Sequence, residues 1–110
     1  MIELTIPIKT ISEANGREHW SSKARRAKAQ REAARWTLAT AKKPELPATV
    51  TLVRLAPGKL DDDNLAGAFK AIRDGVADAI GVDDGDPRYT WRYAQEKAKT
   101  YSVRIKIETN

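Results

Sequence analysis

The sequence predicts an α+β domain, a two-layer mixed sheet with two helices in the order β-α-β-α-β-β. Three observations predict it. Three short segments alternate apolar with polar residues and a fourth is β-branched and apolar, two longer ones carry apolar residues at helical spacing, and Pro or Gly separates all but the last two. One apolar face per strand leaves the other face polar, with Glu3, Thr5, Thr51, Arg92, Arg104 and Lys106 upon it.

The first strand rests on Ile2, Leu4, Ile6 and Ile8, and Thr10 to Gly16 is a loop. From about Ser21 to Thr40 the chain is rich in Ala, Arg, Lys, Gln and Glu, all good helix formers. Ser21 or Ser22 is placed to cap this helix, and Ala24, Ala27, Ala34, Leu38 and Ala41 form a narrow apolar stripe along it. Pro44 and Pro47 close it. Thr49 to Ala56 is β-branched and apolar, so it reads as the second strand, with Pro57-Gly58 as a turn. A second helix is expected over Asn64–Ile80, where Leu65, Phe69, Ile72, Val76 and Ala79 keep the 3.6-residue period. Asp63 suits its cap and Gly81 its stop. Arg88–Gln95 and Tyr101–Ile107 alternate again and predict a hairpin joined through Glu96–Thr100. Tyr89, Trp91 and Tyr93 share an apolar strand face and belong to the core; Trp20 and Trp36 are candidates for core or interface anchors.

Length sets one domain, residues 1–110. With 41% hydrophobic residues the chain is too apolar to remain disordered. The absence of cysteine excludes disulfides and thiolate zinc sites. No apolar run approaches the roughly 18 residues of a membrane span, and the N-terminus lacks the basic start and apolar stretch of a signal peptide, so a cytoplasmic protein is expected.

Net charge is +5, and its distribution is uneven. Ten Lys/Arg face four Glu in residues 1–43, whereas residues 60–86 hold all eight aspartates against only Lys70 and Arg73. Lys23, Arg25, Arg26, Lys28, Arg31 and Arg35 oppose only Glu32 in the first helix, which reads as a DNA-facing surface. Caps and turns account for one or two aspartates, but not easily for eight.

The sharpest local signal is Asp61-Asp62-Asp63-Asn64-Leu65. Three adjacent carboxylates repel one another unless a cation binds them, and a helix cap needs only one. In an extended segment Asp61 and Asp63 point to one side, as half of an octahedral magnesium site. A third ligand from Asp83, Asp84 or Asp86 requires the loop to fold back, a neighbouring strand to carry it, or a second chain, because the helix between spans roughly 25 Å. Lys70, seven residues after Asp63, either approaches this cluster or pairs with Asp74. Hard carboxylates beside basic segments suit metal-assisted phosphodiester hydrolysis on a DNA backbone. His19, the only histidine, reads more readily as structural than catalytic.

Here the sequence resembles the RusA family of Holliday-junction resolvases, dimeric magnesium-dependent endonucleases of bacteria and their phages. The resemblance rests on Asp61-Asp62-Asp63-Asn64-Leu65, matching the family's D-x-D-N-L, and on Val82-Asp83-Asp84, matching its second acidic motif. It implies Asp61, Asp63 and Asp84 as ligands of magnesium, with manganese as a substitute, Asp83 being the less favoured of its pair. It also implies a homodimer acting on branched DNA in recombination and repair. One departure stands out: Gly67 occupies the position of the family's catalytic lysine, with Lys70 one turn further along. The N-terminal segment, with Asn15, His19 and Trp20, matches only loosely. The competing expectation is a catalytically weak or inactive DNA-binding relative with a structural metal site. A calcium-binding domain is a weaker alternative, since the spaced D-x-D-x-D-G loop is missing.

Overall fold

The structure, a computed structural model, describes residues 1–11, 20–83 and 85–110. Its element order is β1 (Ile2–Ile6), α1 (Trp20–Leu38), β2 (Ala48–Ala56), α2 (Asp62–Ala68), α3 (Lys70–Ile80), β3 (Tyr89–Lys97) and β4 (Ser102–Thr109). The expected α+β class and element order hold, with the second helix divided in two.

The strands form one mixed sheet in the order β1-β4-β2-β3. β2 and β3 are parallel, with Val50 opposite Trp91 and Leu52 opposite Tyr93. β4 runs antiparallel to both β1 and β2. The expected hairpin between the last two strands is therefore wrong: β2 lies between them. Residues 98–101 step across the end of β2, where the Ala98 amide donates to the Ala56 carbonyl at 2.9 Å. Strands about 4.8 Å apart leave two strand spacings well within the reach of such a link.

The inward face carries Ala48, Val50 and Leu52 of β2, Val103, Ile105 and Ile107 of β4, Ile6 of β1 and Tyr89 of β3. Trp91 and Tyr93 pack against this core as expected. Phe69, Ile72, Val76 and Ile80 cover it, and the Phe69 ring stacks on Tyr93 at 5.5 Å. Burying a side chain such as Phe69 or Ile72 is worth on the order of 1.5–3 kcal/mol, so this layer holds the helices on the sheet.

The apolar period runs unbroken through residues 65–80, but the backbone does not. Phe69 (φ −93°, ψ −5°) separates α2 from α3, and its amide donates to the nearer carbonyl of Ala66. The cap also shifts: Asp61 precedes the first helical residue in an extended conformation, while Asp62 and Asp63 form the first turn. Gly81 stops α3 as expected, at φ 73° and ψ 33°, where a side chain would be strained.

α1 begins at Trp20, so Ser21 and Ser22 lie inside its first turn rather than capping it. Its buried stripe is Gln30, Ala34 and Leu38, whereas Ala24 and Ala27 are exposed. α1 packs on α3 at Gly75: a methyl group there would lie 2.3 Å from the Arg31 carbonyl oxygen and 2.9 Å from Ala34 Cβ. Trp20 and Trp36 are 74% and 71% exposed, which excludes the core reading for both.

Candidate functional site

β2 delivers the chain to the acidic segment through a fastened turn. Arg54 sits at an inward position of β2 and is buried. Its guanidinium donates to the Gly58 carbonyl at 2.8 Å and to the Thr10 hydroxyl at 2.9 Å. A buried cation is tolerated when its donors are satisfied, and here they hold the β2 exit. Next to it, the Leu60 amide donates to Gln95 Oε1 at 3.0 Å, and Gln95 Nε2 donates back to the Leu60 carbonyl at 2.7 Å. Leu60 is thus tied to the C-terminal half of β3 immediately before Asp61. Sequence reasoning missed both residues; the available signal was two long polar side chains at inward positions of apolar strands.

Asp61, Asp62 and Asp63 are all exposed. Asp61 makes no side-chain cap bond, so its carboxylate is not consumed by the helix start. The alternation that aimed Asp61 and Asp63 together does not apply, because Asp62 and Asp63 are already helical. Among the described residues, the ion pairs join Arg31 to Asp78, Arg88 to Asp86, and Arg104 to Glu3 and Glu96; none takes Asp61, Asp62 or Asp63. Lys59, Leu60, Asp61 and Asp62 line an open depression of about 390 Å³.

The other acidic residues stand differently. Asp78 receives Arg31 in a two-pronged contact at 2.7 and 3.0 Å, and this hydrogen bonding holds its carboxyl below the usual range. Asp86 accepts from the Arg88 side chain at 2.7 and 3.1 Å and from the Arg88 amide at 2.9 Å. Those bonds, the side-chain ones first, bring its pKa down to about 2. Asp83 Oδ1 caps the Gly85 amide at 3.0 Å. Asp84 lies outside the described residues, as do Asn15 and His19.

The two acidic groups are at opposite ends of the sheet. The Tyr89 amide donates to the Asp86 carbonyl at 3.1 Å, so the Asp83–Asp86 turn is fastened to the start of β3, while Leu60 is fastened at Gln95. Six residue steps of strand separate these anchors, roughly 20 Å. Among the described residues no group of three or more His, Asp or Glu side chains could hold a metal ion. Exposed oxygen donors suit magnesium, but the described residues of one chain place them only at one end of such a site.

Lys70 lies in neither acidic group. It lines a groove of about 480 Å³ between α1 and the α2–α3 pair, with Lys23, Gln30, Gly67, Ala71 and Asp74. The break at Phe69 ends the continuous helical face on which its approach to Asp63 was reckoned. Lys28, Arg31 and Arg35 border a second depression of about 430 Å³ with Glu32 and Asp78. Arg31 is thus committed to α3, while Arg25, Lys28 and Arg35 are exposed. Arg35 lies 6.0 Å from the exposed Trp36 ring. Arg73, which the sequence reading did not single out, stands 4.6 Å over the Trp91 ring and donates to the Tyr93 hydroxyl at 2.8 Å.

No protein-family model matches the chain. An uncharacterized protein of Xylella fastidiosa (strain Temecula1) is 35% identical over 97 residues, covering 76% of this chain and 59% of that relative. The chain therefore spans less than two thirds of that relative's length. No described helix is long and apolar enough to cross a membrane.

Proposed function

We propose that the protein is a homodimeric, magnesium-dependent endodeoxyribonuclease acting on Holliday junctions or related branched DNA. The observation that carries this reading is the run Asp61–Asp63, exposed at the β2–α2 junction and taken by no cation of the described chain. Beside α2, the groove bearing Lys23 and Lys70 offers positive charge to a phosphate backbone. In this reading Asp61 and Asp63 hold the ion, and Asp84, or else Asp83, completes its ligands from the second subunit. A bound magnesium ion would polarise the scissile phosphate and lower the pKa of an attacking water. Lys70 stabilises charge on the phosphate, and Lys23, Arg25, Arg26, Lys28 and Arg35 steer the duplex arms; Arg31, bound to Asp78, contributes less. The resemblance to RusA-type resolvases supports the same assignment through the two acidic motifs.

The test is cleavage of a synthetic four-way junction in magnesium. Nicking is expected, reduced at least roughly 100-fold by Asp63→Asn, the scale of losing a direct charge contact in a reacting centre. A chain that nicks no branched substrate, in magnesium or manganese, overturns the proposal.

The separation of Asp83 from Asp61–Asp63 and the glycine at position 67 favour one other reading, a DNA-binding protein without cleavage. Gly67→Lys separates the two. A Cβ there meets nothing within 4 Å, and residue 67 is exposed, so the change does not crowd its neighbours at the backbone. If the natural chain is inert and Gly67→Lys is active, the natural protein is a binder.

A further inference from the structure

The outer face of α1 carries an aromatic side chain that the core does not use. Trp36 stands two residues beyond the buried Ala34, about 160° around the helix, and is 71% exposed. Single exposed apolar residues are common on surfaces, but an indole has the largest face to leave in water. Its surroundings are cationic. The Arg35 guanidinium lies 6.0 Å from the ring. Arg25 falls about 20° from Trp36 on the same side of the helix, and Lys42 and Lys43 follow α1; all three are exposed. Glu32 is the only acid of α1. Trp20, the other strongly exposed indole, points about 160° away and belongs to another surface.

We propose that Trp36 is a stacking platform for an unpaired base of single-stranded DNA, with Arg35 and Lys28 holding the phosphate beside it. The feature that carries this is the double position of Arg35. It stands beside the Trp36 ring and also borders the depression of about 430 Å³ that it shares with Lys28, Arg31, Glu32 and Asp78. Neither Lys28 nor Arg35 forms an ion pair with a described residue, whereas Arg31 is held by Asp78. A free cation next to a flat exposed ring matches the two halves of a nucleotide, an anionic phosphate and a base with a π face. The excess of cations along α1 over the single Glu32 sets the occupant as a polyanion. A duplex offers the phosphates but keeps its bases stacked on one another, so only an unpaired strand can use the ring.

A platform of this kind sharpens the choice of substrate in the nuclease reading, on which it rests only for DNA as the ligand. Phosphate contacts position a nucleic acid but carry no information about its bases. A ring that takes an unpaired base adds a preference for partly single-stranded or branched DNA over plain duplex. Trp36 is a specificity residue and not a catalytic one. The chain leaving α1 passes the end of α3, where a side chain at Gly81 would lie 3.2 Å from Lys43 Nζ. Trp36 is thus placed toward the Asp83 end of the sheet, away from Asp61–Asp63 in the same chain, and acts on binding rather than on hydrolysis.

The experiment measures binding by the full chain in EDTA, so that no cleavage intervenes. The probes are a thymine oligonucleotide of about ten nucleotides and an abasic strand of the same length, with a duplex alongside. Wild type is expected to bind the thymine strand roughly tenfold more tightly than the abasic one. Trp36→Ala should remove that difference while leaving abasic-strand and duplex affinity within about twofold, and Trp36→Phe, which keeps a ring, should retain most of it. Arg35→Ala should weaken all three ligands and lower the salt slope by about one, as for loss of a phosphate contact. Each variant is scored by the ratio of two ligands on one preparation, so a loss of folded protein does not imitate the effect. Equal affinity of wild type for the thymine and abasic strands, or a ratio unchanged by Trp36→Ala, overturns the proposal. A chain that nicks junctions without this preference would sink the platform and spare the nuclease reading; a Trp36-dependent preference in a chain inert towards junctions would do the reverse.

Discussion

The aspartates at the start of α2 and Asp78, Asp83 and Asp86, along and after α3, have the same side chain and opposite circumstances. Asp78 and Asp86 are each gripped by an arginine through paired hydrogen bonds, and Asp83 caps a turn. Asp61, Asp62 and Asp63 are exposed and form no ion pair with any described residue. A run of acidic residues that looks uniform in composition therefore divides into carboxylates spent on structure and carboxylates left available. Only the second kind makes a functional argument.

If α3 is the structural partner in this comparison, changes there should cost folding. The largest effect is expected at the seam with α1. Gly75→Ala puts a methyl group 2.3 Å from the Arg31 carbonyl oxygen, so α1 must move. Overpacking of this kind costs about 1–3 kcal/mol, more than alanine's helix preference returns. Thermal unfolding should show a Tm lower by several degrees. Asp78→Ala should lower Tm by less, because the Arg31 side chain is 51% exposed and the pair is screened by water. Its pH dependence has a definite sign. The folded pKa lies below the unfolded one, so the stabilisation is present above the ordinary carboxylate range and fades as pH falls through the folded value. A wild-type acid-unfolding profile that superimposes on that of Asp78→Ala would remove the pair from the structural class.

A smaller change is expected at Asp86. Carbon-detected NMR titration should find it near 2, with its contribution to stability fading as pH falls from the ordinary carboxylate range through that value. Arg88→Ala should raise the titration point but not to the free value, because the residue 88 amide still donates to it. The smallest effect belongs to the other region. Asp62→Asn should leave unfolding free energy within about 0.5 kcal/mol of wild type, as for an exposed residue with no partner to lose. A marked destabilisation there would place Asp62 with the structural aspartates and erase the contrast.

The strand pattern was legible because alternation survives any pairing: the expected faces turn inward whichever neighbour each strand has, with Ile6, Val50, Leu52, Tyr89, Val103, Ile105 and Ile107 buried and Ile2, Leu4, Trp91 and Tyr93 half-buried, although β1 ends before Ile8. The short link after β3 argued for a hairpin, yet β2 is interposed. A better signal lay in β2 itself, where Leu52 and Val53 face opposite ways and are both buried, as suits an interior strand. The break at Phe69 was invisible because α2 and α3 keep one apolar period on either side of it. The α1 stripe was overdrawn at Ala24 and Ala27, since alanine spacing records helix propensity as much as contact.

Within the candidate site, the acidic motif and the basic helix were readable as residue types, but their commitments were not. Nothing local distinguishes Arg31, held by Asp78 forty-seven positions away, from Arg35 on the same helix. By itself the sequence determined the elements, their inward faces and the stop at Gly81, because these follow from backbone preference and the period of apolar side chains. Only the tertiary structure decided the strand order, the parting of the two acidic groups to opposite ends of β3, and which charges are already paired. Those outcomes depend on contacts between residues far apart in the chain, whose partners no local pattern names.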